Sequence, residues 1–339
     1  MTPEPLSSVE TLLTTYSWDY ISDRALHTAA ELGVADHLSE GPATIETLAR
    51  KTATRADALA RLLRPLVANG IFGLDEAGHY TRTEFSALLE SDHEESLRAW
   101  FRLMYRVTYR FLDDPLVTLR TGRTAFEERF GAAYFDHMAT HPEDAAVFHA
   151  AMAGFTQRTA RAVAGAYDFT GAGRMVDVGG GLGRLVIEIL TRFPGATATV
   201  FDVPGQAAPA RAALDAAGVG ERASVASGDF FAAVPEADTH LLSWILHDWD
   251  DERALTILRR CRESLATENG RLLVVEAVLP ERPAPGMAAA LDLVMLFGLG
   301  GRERTEREYA ELLAAAGYAH TRTTRLGPTG MCLLEATPV

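Results

Sequence analysis

The chain has 339 residues, 47% hydrophobic and 23% charged, an ordinary globular composition that excludes disordered and fibrous classes. Its formal net charge is −14 and Lys51 is its only lysine, so it lacks the basic footprint by which nucleic-acid binders release counterions. Cys261 and Cys332 stand outside any CxxC and read as reduced, buried thiols.

The segment Met1 to Tyr20 has no basic n-region and no apolar run, so no signal peptide is expected. No stretch is long and apolar enough to span a membrane. The expectation is a soluble, cytoplasmic chain.

Residues 22–165 read as helix after helix. Ala25, Leu26, Ala29, Ala30, Leu32 and Val34 fall at helical spacing. Thr44 to Ala49 is a short helix with a loose cap at Thr44. Ala56 to Ala68 is a stronger helix, with Leu59, Leu62, Leu63, Leu66 and Val67 on one face and Asn69-Gly70 as its stop. Residues 71–74 and 79–81 flank a turn and predict a small hairpin. This order is that of a winged helix.

After residue 170 strands and helices alternate. Strands are predicted at Met175 to Val178, Ala198 to Asp202, Ala223 to Ala226, His240 to Ile245 and Arg271 to Val278. Helices are expected from about Leu185, over Ala207 to Ala217, from Asp250 to Leu265, around Leu291, and over Glu306 to Ala316. His320 to Leu326 and Met331 to Thr337 close the chain as an antiparallel pair. The fold class is α/β: a doubly wound, mostly parallel Rossmann-like sheet behind a mainly helical N-terminal domain.

The sharpest local signal is Val176-Asp177-Val178-Gly179-Gly180-Gly181-Leu182-Gly183. It follows a strand and opens a helix, where open α/β sheets bind ligands. Gly179 and Gly181 let backbone approach a ligand closely. Asp202 ends the next strand, where a carboxylate can accept from ribose hydroxyls. A dinucleotide fingerprint fits poorly, because Arg184 or Val186 takes the third glycine position. Asp177 would also repel a pyrophosphate, and it suits a ligand with a cationic ammonium. S-adenosylmethionine has that ammonium, a ribose, an adenine and no phosphate. Asp229 and Phe230 end the third strand on the same edge, where they could meet the adenine amino group and ring.

The segment Ser243-Trp244-Ile245-Leu246-His247-Asp248-Trp249-Asp250-Asp251 starts at the fourth strand end. Together with DVGGGLG and GDFF, it resembles the S-adenosylmethionine-dependent O-methyltransferases of the caffeic acid type. Within these it is most similar to bacterial natural-product enzymes such as the mitomycin O-methyltransferase. The resemblance covers nearly the whole chain. It implies a winged-helix-like dimerisation domain over 1–100, connecting helices lining the active site over 101–165, and a class I methyltransferase domain over 166–339.

The resemblance also implies roles. His247 takes the family's general-base position. A phenol has a pKa of about 10, so little phenolate exists at neutral pH, and a neutral imidazole can take the proton. Glu276 and Glu303 match its two supporting glutamates. Ser243 stands where the family often has a lysine near the adenine, and Trp249 would pack by that ring. Asp248 and Asp250 read as first-turn helix acids. Met152, Thr156, Asp292, Met295 and Leu296 fall at acceptor-pocket positions.

His137, His141 and His149 lack acidic or cysteine partners at ligand spacing, so no metal is expected. The implied activity is methylation of a hydroxyl, phenolic in the first instance, on a small natural product, releasing S-adenosylhomocysteine from a homodimer. Two alternatives stay open. One is a relative using the cofactor for hydroxylation, decarboxylation or a pericyclic reaction. The other is a winged-helix regulator, against which the thin basic face of Arg55, Arg61 and Arg64 counts.

Overall fold

In the computed structural model, which describes residues 7–327 and 330–339, the helix Ala56–Ala68 occupies the span its apolar stripe predicts. Leu59, Leu63 and Leu66 are buried with Val34, Leu38, Leu48, Phe72 and Leu89. Each such leucine removed from water contributes about 2 kcal/mol. Asn69 ends the helix, its N–H donating to the Pro65 carbonyl. The helix Ile45–Lys51 begins at Thr44, whose hydroxyl accepts from the Thr47 N–H. The short strands β1 (Gly73–Leu74) and β2 (Tyr80–Thr81) pair antiparallel as the hairpin.

These elements belong to one of two units into which the chain divides: Met1–Arg110 with Met138–Gly154, and Phe111–His137 with Phe155–Val339. In the first unit, the helical segments Ser8–Leu13, Thr14–Trp18 and Asp19–Leu32 expose Val9, Leu12, Leu13, Tyr16, Trp18, Tyr20 and Ile21. So many large exposed apolar side chains in one segment mark a surface made for a partner. Arg55, on the helix weighed as a DNA reader, pairs with Asp57 at 2.8 Å.

The second unit holds the large sheet. Its strands are β3 (Arg174–Val178), β4 (Thr197–Asp202), β5 (Ala223–Ser227), β6 (Thr239–Ser243), β7 (Arg271–Leu279), β8 (Arg304–Thr305), β9 (Tyr318–Arg325) and β10 (Met331–Pro338). Their order is β5-β4-β3-β6-β7-β10-β9, with β8 beside the far end of β7. β3 to β7 run parallel, and β10 is antiparallel to both neighbours. Leu272 to Val275 are fully buried, the continuous apolar run of a strand covered on both faces. Ile189, Leu190 and Leu214 cover one face, and Ile257, Leu258 and Leu313 the other. From β3 the chain winds out to β5 and returns to β6. The crevice at this reversal, beyond the carboxyl ends of β3 and β6, is where such sheets bind ligands.

One strand end differs from the sequence expectation. β6 stops at Ser243 because Trp244 takes a left-handed backbone, φ 59°, which a pleated strand cannot continue. β7 covers its expected span and ends one residue later, at Leu279, where β8 and β10 give its far end hydrogen-bond partners. Glu276 sits inside this strand. Among the described residues no helix is long and apolar enough to cross a membrane.

Candidate active site

The loop between β3 and the helix Arg184–Arg192 is shaped by glycines in left-handed conformations. Gly179 has φ 73°, and a Cβ there would overlap the Ile245 side chain. A Cβ at Gly181 would meet nothing within 4 Å among the described residues, so the loop is open above it. Asp202, at the end of β4, ties the loop down: its Oδ2 accepts from the Gly181 N–H at 2.8 Å and its Oδ1 from Val203 at 2.7 Å. Asp177 is buried beneath. Burial first, and then the Asp202 charge, push its carboxyl up to about 7.

Asp229 uses Oδ1 to accept from the Phe231 N–H at 2.9 Å, holding the turn after β5. Phe230 and Phe231 meet edge to face, and Trp249 packs edge-on against Phe231 at 4.9 Å. Arg253 lies over the Trp249 ring at 4.9 Å, and Phe135 stacks on it at 5.7 Å. Ser243, Asp229, Phe230 and Trp249 thus all come from the carboxyl edge of the sheet, beside the open glycine loop.

His247 follows β6 on the single turn Leu246–Asp248. Its Nδ1 lies 2.7 Å from Oε1 of Glu303 and 4.0 Å from Oε2 of Glu276, and all three side chains are buried. Oε1 of Glu276 accepts from the N–H groups of Ile245 and Leu246, at 3.0 and 2.8 Å. The carboxylate thus fixes the backbone entering the His247 turn. The Glu303 N–H donates to Asp292 Oδ1 at 2.9 Å, so Asp292 reaches the site by holding Glu303 in place. The second oxygens of Glu276 and Glu303 have no hydrogen-bond partner among the described residues.

Burial alone would lower the imidazole pKa. The charges of Glu276, Asp248 and Glu303, with the Glu303 hydrogen bond, outweigh it and raise His247 to about 10. Burial in turn pushes Glu276 up to about 7 and Asp248 to about 6. These groups titrate together, with protons shared across the cluster. A carboxylate on Nδ1 keeps the proton there, so a neutral imidazole offers its lone pair from Nε2.

Asp248 departs from the sequence expectation. Asp250 does cap the helix Asp251–Glu263, its Oδ1 accepting from the Arg253 N–H. Asp248 lies outside that helix, with Oδ1 3.4 Å from Nε2 of His247. There its charge faces Nε2 and favours the protonated imidazole. The sequence reading also passed over Gly301, where a Cβ would overlap the carbonyls of His247 and Asp248. The only signal for it was the Gly300-Gly301 pair.

Met295 is buried and Leu296 about one-third exposed, on the turn Met295–Leu299. Gly298 beside them packs against the Phe111 ring. Thr156 is half-buried, one residue after Phe155, which meets Trp244 edge-on at 5.1 Å; Trp244 in turn touches the His247 ring at 5.2 Å. Met152 falls in the other unit.

The O-methyltransferase domain family matches residues 109–319, and the O-methyltransferase dimerisation domain family matches residues 15–92. This chain is an O-methyltransferase family member. It is 41% identical over 336 residues to the phenazine O-methyltransferase PhzM of Lysobacter antibioticus, covering 99% of this chain and 97% of that one. It is similar to the solved O-methyltransferase NcsB1 from neocarzinostatin biosynthesis, in complex with S-adenosylmethionine and 2-hydroxy-5-methyl naphthoic acid. That likeness has 35% identity and a TM-score of 0.79, over 94% of this chain and 96% of the other. It is also 36% identical to the aclacinomycin 10-hydroxylase RdmB of Streptomyces purpurascens, over 94% of this chain and 88% of RdmB.

The cofactor of the O-methyltransferase is S-adenosylmethionine. The residues present fit it: an open glycine loop at the switch point, a carboxylate at the end of β4, and an aromatic cluster.

Proposed function

We propose that this O-methyltransferase methylates a phenolic hydroxyl of a small aromatic natural product, with His247 as the general base. The observation that carries the reading is the buried contact between Nδ1 of His247 and Glu303, which directs the basic lone pair of Nε2 outward. Bound S-adenosylmethionine supplies an electrophilic methyl group and leaves as S-adenosylhomocysteine. Nε2 takes the hydroxyl proton as the oxygen–carbon bond forms, and Asp248 and Glu303 hold the imidazolium. The charges of Glu276, Asp248 and Glu303 favour the protonated imidazole, so they strengthen its pull on the hydroxyl proton.

In this reading Asp177, Gly179, Gly181, Asp202, Asp229, Phe230, Ser243 and Trp249 hold the cofactor. Thr156, Met295 and Leu296 shape the acceptor site, and Asp292 acts through Glu303. Residues 1–100 form the dimerisation module, 101–165 connect, and 166–339 form the catalytic domain. The exposed apolar segment Val9 to Ile21 supports a homodimer.

No metal takes part. His247, Glu276 and Glu303 do bring three donors within 4.8 Å of one another. In this reading they handle a proton instead: Oε1 of Glu276 accepts from two backbone N–H groups and Oε1 of Glu303 meets Nδ1, while both Oε2 atoms stay without a hydrogen-bond partner among the described residues.

RdmB shows that relatives carry names other than methyltransferase, so the reaction itself needs testing. The chain is incubated with a panel of hydroxylated phenazines, naphthoates and benzoates. The expected result is a mass gain of one CH₂ unit with equimolar S-adenosylhomocysteine. Turnover with no methylated product would overturn the reading.

A further inference from the structure

Arg304 lies in the same short pattern as Glu303, and none of the roles above uses it. It is 1% exposed, the largest fully buried side chain among the described residues. Burying a guanidinium is costly unless each N–H finds an acceptor. Here the five N–H groups have five contacts. Nε and Nη2 donate to Asp251 Oδ1 at 2.9 and 2.8 Å. Nη1 donates to the carbonyls of Leu246 at 3.0 Å and Arg302 at 3.4 Å, and Nη2 to the carbonyl of Trp249 at 3.0 Å.

Apart from the Arg302 carbonyl, the acceptors share one place in the chain. Leu246 and Trp249 bracket His247 and Asp248, and Asp251 begins the helix that follows. The carbonyl of His247 itself accepts from the Arg302 N–H at 2.9 Å. The Arg302–Arg304 segment therefore grips the turn on both sides of the imidazole, while Glu303 between them binds its Nδ1. The ring and its backbone are held by one rigid piece, itself paired to β7 through β8.

We propose that Arg304 is a positioning residue for His247: its guanidinium sets the peptide planes before and after the imidazole and so aims Nε2. This rests on His247 being the base. The fork is needed because the acceptors diverge: two carbonyls three residues apart and one carboxylate. A lysine keeps the charge but offers a single nitrogen, which cannot reach all three.

The test is Arg304→Lys in the full-length protein, with three readouts. The first is kcat against KM, the second S-adenosylhomocysteine affinity by calorimetry, and the third the downfield proton resonance of His247 Nδ1–H. Positioning predicts kcat lower by about tenfold or more, affinity within about twofold, and a shifted or broadened Nδ1–H resonance. Unchanged kcat, or a lower kcat with that resonance unmoved, overturns the proposal.

If Arg304→Lys does not fold, Asp251→Asn carries the test. The Asp251 side chain is 60% exposed, and an asparagine there keeps an oxygen that can accept from the guanidinium. There kcat is expected to fall several-fold with a displaced resonance, and no change in both overturns the proposal. Full turnover in His247→Ala would overturn the base reading instead, because the resonance reports the hold on the ring independently of turnover.

Discussion

Nδ1 of His247 and Oε1 of Glu303 lie 2.7 Å apart in a site where both side chains are buried. The contact crosses from the turn after β6 to the segment entering β8, and Glu276 of β7 stands behind it. An imidazole among buried carboxylates holds its proton tightly. The acid limb of kcat/KM should therefore lie above the ordinary histidine range near 6.5.

Glu303→Gln and Glu276→Gln test that electrostatic origin. Each removes a negative charge that favours the imidazolium, so the imidazole becomes neutral at lower pH. The acid limb should move to lower pH in both variants. Glu303→Gln should also lower kcat by about tenfold to a hundredfold, because the forming imidazolium loses its nearest countercharge. A limb that stays in place in both variants would show that these carboxylates do not set the titration.

Gly301→Ala tests how closely the turn is held. The added Cβ meets backbone carbonyls of His247 and Asp248, which cannot rotate aside. The turn must shift, and kcat should fall by about a hundredfold or more while S-adenosylhomocysteine still binds. Wild-type turnover in this variant would mean that the turn tolerates displacement.

Asp177→Asn makes a pH-dependent stability prediction. The buried carboxyl titrates near 7 when folded, against an ordinary 3.8. A raised pKa stabilises the fold below the ordinary value, and that stabilisation is lost as pH rises through about 7. At pH 8 the ionised carboxylate costs the folded protein up to about 4 kcal/mol. An asparagine stays neutral, so the ligand-free variant should melt several degrees higher at pH 8 and lose that advantage at pH 4. An equal offset at both pH values would contradict the assignment.

Asp202→Ala should weaken S-adenosylhomocysteine binding by about tenfold to a hundredfold. It removes the acceptor for the Gly181 N–H and the carboxylate offered to the ribose. Calorimetric titration measures this directly, and unchanged affinity would remove Asp202 from the site.

Much of this site was legible before any coordinates. The glycine loop, Asp202 and the HDW segment lie at successive strand ends, and strand–helix alternation brings those ends to one edge without further knowledge. Glu276 was found on the strand predicted over Arg271 to Val278, but the two backbone N–H groups it accepts from, at Ile245 and Leu246, depend on how the chain turns after β6. β8 has only two residues, too few for a periodic signal. Asp248 reads like any acid before a helix, and only the turn of the chain brings its carboxylate to Nε2. Arg304 is buried by contacts with residues some fifty positions earlier, which local pattern does not reveal. The identity of the acceptor, in the proposed reading, depends on side-chain orientation around Met295 and Leu296, which spacing does not encode.

The most direct measurement is the single-turnover rate of His247→Ala, with its S-adenosylhomocysteine affinity determined on the same preparation. If His247 is the base, the methyl-transfer rate at pH 7 falls by about a hundredfold to ten-thousandfold and the affinity stays within about threefold. Methyl transfer at the wild-type rate, with the fold and affinity intact, would contradict it.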